Sequence, residues 1–448
     1  MIYYGKRKKS LYDNLVWALL IWCVLQDFVL AAMLKITRVT AFVNILFYSK
    51  DIMLIVLFVA ALFRKKFPKN MAASYIVYFA LVGIQTGVTL ASRGGQLSIT
   101  SVLSSVRGLI LLPVLTFVGF SVRNKGLFLE KTKKYYRFLM VIAIIGIIEF
   151  IADILFGTKS FWMDTLGLND FYTVIKGQPA LIENGTPGNW YTDIGRGYRT
   201  QKRLISIWAA PLTAGFVLLL PALYYVMKLF KKKKMFSRAM KINQSNHLFT
   251  VIICSVALLL TFTRQTILPY IMLCVASYLY YNKKNRKVLF ICIGLLALIA
   301  GIGLSSQIIS YLNNGSTRVH IIQIQNGLSH LNFLGSGVGT FGTRLTGAIG
   351  TESQYITLVG QLGVLALPIY LIIMLYPVFY CRRKANTIEK DTRVMIVSVC
   401  FAGLTYALAG IVSETVAAFT SIAQYFVLIG VCWGYCKDRK KEIITIGN

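Results

Sequence analysis

The chain has 448 residues, of which 56% are hydrophobic and only 14% charged, and its mean hydropathy is +0.65; this is the composition of a bilayer-embedded chain, not of a water-soluble core. Its 48 basic and 16 acidic residues give a formal charge of +32, which in a soluble protein would point to nucleic acid. The distribution excludes that partner. Most Lys and Arg fall in seven short clusters, at 6–9, 64–69, 123–137, 228–241, 283–287, 382–393 and 437–441, all on the same side of an alternating series of apolar runs. That is the positive-inside pattern, with the clusters in the cytoplasm.

Apolar segments of about 20 residues, the length that crosses a bilayer core, are read in chain order at 11–34, 40–63, 71–92, 98–119, 137–156 and 206–229. Six more follow at 247–264, 266–282, 288–306, 355–376, 394–415 and 419–436. The first follows Lys6 to Lys9 but is too long for the apolar part of a signal peptide and lacks a small-residue cleavage site, so it is expected to remain as a span. The reading is a single all-α polytopic integral membrane domain over 1–448, with about 12 transmembrane helices and both termini inside. All eight cysteines lie in spans or at the cytoplasmic edge, which argues against disulfides and a structural zinc site.

Two long segments, 157–205 and 307–353, fall outside, and function is sought there. Basic residues are rare on that face, so Arg196, Arg199, Lys202, Arg203, Arg264, Arg318 and Arg344 need a reason. Guanidinium forks match phosphate oxygens, and a diphosphate at the membrane surface rewards several of them; anchoring to membrane lipid headgroups is the plainer alternative. Arg107 lies deep in the fourth span and requires a carboxylate, cavity or protein partner, for which Glu149, Asp153 and Glu414 are candidates. Lys50 and Asp51 cannot face each other on one helix, and Asp27 is a candidate partner. The glycine-spaced GSGVGTFG at 335–342 lacks the strand, helix and GK[ST] of a nucleotide loop and reads as a turn that brings backbone amides to a ligand or to membrane helices. There is no DxD or HExxH, so no metal and no cofactor is implied.

The run STRVHIIQIQNGLSHLNFLGSGVGTFG from Ser316, with its Arg, helical stretch and glycine-rich turn, resembles the O-antigen ligase and Wzy-type polysaccharide polymerase superfamily. TESQYITLVGQLGVLALPIYL from Thr351, RLISIWAAPLTAG from Arg203 and TFTRQTIL around Arg264 are similar to further segments of that family. The resemblance implies a GT-C-like membrane glycosyltransferase acting outside on polyprenyl-diphosphate-linked glycans, in a bacterial plasma membrane, with a flippase and a chain-length regulator as partners. It implies Arg107, Arg196, Arg199, Arg203 and Arg264 on the diphosphate, and Glu352, His330 and Arg318 in catalysis, Glu352 being the general base. The ligase branch has His at the position of Glu352, which favours a capsule or exopolysaccharide polymerase over an O-antigen ligase. A polysaccharide flippase or exporter is the alternative of another class, and would have functional charges along a central passage.

Overall fold

The computed structural model describes residues 10–64, 69–93, 98–156, 160–176, 182–183, 186–187, 190–193, 199–231, 238–281, 315–342, 348–412 and 419–446. Five long helices come first: α1 (Leu11–Thr37), α2 (Thr40–Leu62), α3 (Lys69–Arg93), α4 (Ile99–Phe120) and α5 (Lys125–Phe156). A folded loop with two short hairpins, β1 (Ile182–Glu183) with β2 (Thr186–Pro187) and β3 (Tyr191–Asp193) with β4 (Arg199–Lys202), leads to α6 (Pro211–Lys231). Then come α7 (Arg238–Leu260), α8 (Arg264–Tyr281), α9 (Gly315–Ser329), the short α10 (Gln354–Leu362), α11 (Ala366–Lys384), α12 (Lys390–Val412) and α13 (Phe419–Ile446). Among the described residues nine helices, α1–α6 and α11–α13, are long and apolar enough to cross a membrane. The chain is an all-α polytopic membrane protein. The expected ninth span, 288–306, lies outside the described residues.

Helix α6 is apolar around its whole circumference and is buried without a break from Thr213 to Met227, the signature of a central helix. Helices α5, α7, α8, α12 and α13 pack around it. Helices α2 and α3 keep most of their surface exposed and form the periphery. Bilayer lipid is as apolar as leucine, so burial alone does not drive such helices together; close approach and interhelical hydrogen bonds do. Both are present at the centre. Gly119 of α4 and Gly430 of α13 sit so close to the opposite backbone that a β-carbon would lie 2.1 Å from the Val427 carbonyl oxygen or 2.2 Å from that of Thr116. The Tyr406 hydroxyl donates to the Ser421 carbonyl at 3.0 Å, Gln424 Nε2 to the Val217 carbonyl at 3.1 Å, and Tyr135 to Gln424 Oε1 at 3.2 Å.

Among the described residues, members of the clusters at 64–69, 123–137, 228–241, 382–393 and 437–441 meet at one end of the bundle. Arg64 donates to the Ser121 carbonyl at 3.1 Å and lies 3.9 Å from the Tyr12 ring centre; Asp13 accepts from the amides of Arg123 and Asn124, each at 2.9 Å. Lys125 pairs with Asp438 at 2.8 Å and Lys231 with Asp391 at 2.9 Å. These contacts gather one terminus each of α1, α2, α4, α5, α6, α12 and α13. The described residues of both long loops lie at the opposite end.

Two expected spans are corrected. The segment 206–210 is not the start of the sixth span but an irregular stretch, with Ser206 and Ala209 at positive φ, inserted beside α5: Ser206 Oγ donates to the Ile142 carbonyl at 3.0 Å. The tenth span does not run 355–376. It breaks at Gly363 (φ 90°), leaving α10 at the loop end while the crossing helix α11 begins eleven residues later than expected and ends in the basic cluster.

The α4–α13 contact yields a prediction. Gly430→Ala puts a methyl against the Thr116 carbonyl and is expected to cost about 1–3 kcal/mol through overpacking, seen as a lower thermal unfolding midpoint in detergent. Gly108→Ala, in open space, should leave the midpoint within error.

Candidate functional site at the loop end

The first loop folds back over α1 and α2, where Trp162, Phe171, Tyr172 and Trp190 are buried with Leu30, Leu34 and Val43. Lys176 reaches Asp27 at 3.4 Å. The loop then descends through β4 into the bundle, and each step is hydrogen-bonded: the Arg203 amide to the Trp190 carbonyl at 2.7 Å, the Leu204 amide to the Leu260 carbonyl at 2.8 Å, and Trp190 Nε1 to the Ala209 carbonyl at 2.9 Å. Irregular backbone at membrane depth persists only under such protein cover.

Lys202 and Arg203, adjacent in sequence, have different partners. Lys202 is 7% exposed and pairs with Glu149 at 2.8 Å and Asp153 at 2.6 Å, two carboxylates spaced i, i+4 on one face of α5. Arg203 spans the α7–α8 turn, donating from Nε to the Thr261 carbonyl and from Nη2 to Thr263 Oγ1, both at 2.8 Å. Thr263 accepts from the Ile267 amide at 2.9 Å and starts α8, so the backbone of Arg264 is the next residue after Arg203's ligand. Arg199 stands in β4 opposite Asp193. The structure therefore gathers the backbones of Arg199, Lys202, Arg203 and Arg264 at one place; the side chains of Arg199 and Arg264, and all of Arg196 and Arg344, lie outside the described residues.

The second loop centres on α10. Ser353 caps its start, accepting from the Ile356 amide, while the Tyr355 hydroxyl donates to the Ala407 carbonyl of α12 at 2.7 Å and Gln354 bonds Tyr370 of α11. Glu352 directly precedes the cap and is half-buried, at the positive pole of a short helix. Helix α9 crosses α10 at Gly327, where a β-carbon would meet Ile356 at 2.8 Å and Thr351 at 2.9 Å. The same helix carries Arg318 near its start, side chain outside the described residues, and is followed by His330. His330 is exposed, and its Nδ1 lies 2.8 Å from the Asn326 carbonyl; donation to that carbonyl leaves Nε2 as the basic nitrogen.

The glycine-rich turn closes the other end of α10. The Ser336 amide donates to the Gly360 carbonyl at 2.7 Å and the Gly337 amide to the Gln361 carbonyl at 3.2 Å, satisfying carbonyls that a helix terminus leaves open. Gly335 and Gly363 adopt positive φ, and a β-carbon on Gly335 would meet the Gly363 amide nitrogen while one on Gly363 would meet the Leu334 carbonyl. The turn brings backbone amides to the end of a helix.

Arg107 forms a third locus, and its predicted partners are corrected. Its Nε lies 2.6 Å from Asp51 Oδ1, and Glu149 and Asp153 belong to Lys202 instead; Glu414 is outside the described residues. Lys50 donates to Gln26 Oε1 at 2.6 Å, not to Asp27. Adjacent residues of α2 thus point to different helices, Lys50 to α1 and Asp51 to α4. Among the described residues no group of three or more His, Cys, Asp or Glu is placed to hold a metal ion.

No protein-family model matches the sequence, and a search of curated proteins finds no significant relative. The Lys202 triad gives a direct test of its own. Lys202→Met strands two buried carboxylates and is expected to destabilise by about 3–5 kcal/mol, whereas adding Glu149→Gln and Asp153→Asn should recover most of that loss in detergent unfolding curves.

Proposed function

We propose that the chain is a membrane glycosyltransferase of GT-C-like architecture with twelve transmembrane helices, which polymerises oligosaccharide repeat units carried on polyprenyl diphosphate. Its reaction belongs on the outer face of a bacterial cytoplasmic membrane, with the basic end and both termini in the cytoplasm. The observation that carries this reading is the position of Glu352: a half-buried carboxylate at the start of α10, at the end of the bundle opposite the basic clusters and beside the helix bearing Arg318.

In this mechanism Glu352 takes the proton of an acceptor sugar hydroxyl, whose oxygen attacks the anomeric carbon of the donor. The bond from that carbon to the diphosphate oxygen breaks, and Arg199, Arg203, Arg264 and Arg318 stabilise the departing anion. The donor is activated by its own diphosphate and requires no nucleotide. Arg107, paired with Asp51, acts in this scheme by holding α2 to α4. His330, bonded at Nδ1 and exposed, is the reserve base through Nε2. A glutamate where the ligase branch has histidine weighs against transfer to another acceptor.

One observation favours a second reading. Asp27, Lys50, Asp51 and Arg107 share one electrostatic neighbourhood inside the helices, as charges along an exporter's passage would. The lipid-linked glycans of a deletion strain separate the two: single repeat units outside for a polymerase, accumulation on the inner leaflet for a flippase.

Glu352→Gln keeps size and hydrogen bonding but removes basicity, and should lower chain extension by about 100- to 10,000-fold while membrane insertion and donor binding persist. Normal chain lengths from this variant would exclude Glu352 as the base. Independently, single cysteines at the exposed positions Asn169 and Leu334 should react with an impermeant maleimide in intact cells, and those at Arg383 and Lys390 only after lysis. The reverse pattern would place the chemistry on the wrong side for this reaction.

A further inference from the structure

A second charged feature lies at the basic end, remote from both loops. A cavity of about 440 Å3 opens between α5, α6 and α7, lined by Lys133, Arg137, Lys228, His247, Tyr224 and Tyr225. Lys133 and Arg137 are spaced i, i+4 and share one face of α5. Tyr224, Tyr225 and His247 are buried and form the floor, with the Tyr225 and His247 rings 5.8 Å apart and Lys228 Nζ 5.9 Å from the Tyr224 ring centre. The charge of Arg137 acts on the Tyr225 hydroxyl. Among the described residues that line it there is no carboxylate. Asp391, whose charge is felt by Lys133 and Lys228, is engaged by Lys231 at 2.9 Å. Three cations around one cavity repel one another, and an anion seated among them reverses that cost.

The cavity also has an apolar exit. Met140 and Phe249 complete its lining, and beyond them exposed apolar side chains continue away from the basic end on both helices: Val141, Ile145 and Ile148 on α5, Ile252, Val256 and Leu259 on α7. A basic pocket leading into an apolar strip has the shape and polarity of a phospholipid. We propose that this cavity binds the phosphoryl headgroup of an acidic phospholipid, with its acyl chains lying along the α5–α7 strip. A soluble phosphate ester has no use for the strip, and a zwitterionic lipid lacks the net charge. The site stands apart from the glycosyltransferase reading, since it uses neither loop.

The test is lipid retention by the full-length chain purified in detergent, read by native mass spectrometry after incubation with equal amounts of phosphatidylglycerol and phosphatidylcholine of the same acyl chains. Phosphatidylglycerol should be retained preferentially. Arg137→Gln with Lys228→Gln should reduce that retention roughly tenfold or more. The control pair Arg383→Gln with Lys390→Gln removes equal charge from exposed positions at the same end and should leave it unchanged. Should the double variant not fold, Lys133→Gln at the cavity's half-exposed edge should give a partial loss. Equal retention of the two lipids, equal loss in the pocket and control variants, or displacement of phosphatidylglycerol by millimolar inorganic phosphate would each overturn the proposal.

Discussion

The structure depends on one constraint: backbone amides and carbonyls at membrane depth have no water to bond, so every departure from helix there must be covered by protein. Two departures occur, and the candidate site is built on both. Residues 203–209 are covered by Trp190, Leu260 and Ile142, which fixes Arg203 against the α7–α8 turn. Helix α10 stops short, and its last carbonyls are taken by the amides of Ser336 and Gly337. Glycine is needed at 335 and 363 because the two backbones approach closer than a β-carbon permits, at positive φ.

Charge follows the same economy of burial. Lys202 is deep enough to need two carboxylates, and Arg107 needs Asp51. Arg203 bonds a carbonyl and a threonine hydroxyl of the α7–α8 turn.

The two ends of the bundle carry different chemistry on one scaffold. At the loop end, Lys202 is held by two carboxylates of α5 and Arg203 by the α7–α8 turn. At the basic end, cations cluster on helix termini and enclose a cavity whose floor is aromatic. Central α6 connects the ends as a helix buried over its length, so its neighbours are positioned by packing and not by the loops.

The sequence by itself determined the membrane class, the alternation of spans and the segregation of the basic clusters to one end, because apolar length and charge are properties of each local segment. Glu149 and Asp153 were legible as carboxylates in need of a cation, but the sequence offered them to Arg107 and not to Lys202. Only the tertiary structure decided that Asp51 and not Glu149 holds Arg107, that Lys50 turns to Gln26, that the span expected at 206 begins as an irregular segment, and that the one expected at 355 breaks at Gly363. Each of those outcomes depends on contacts between residues far apart in the chain, or on a backbone break whose partners lie on other helices, and hydropathy carries no record of either.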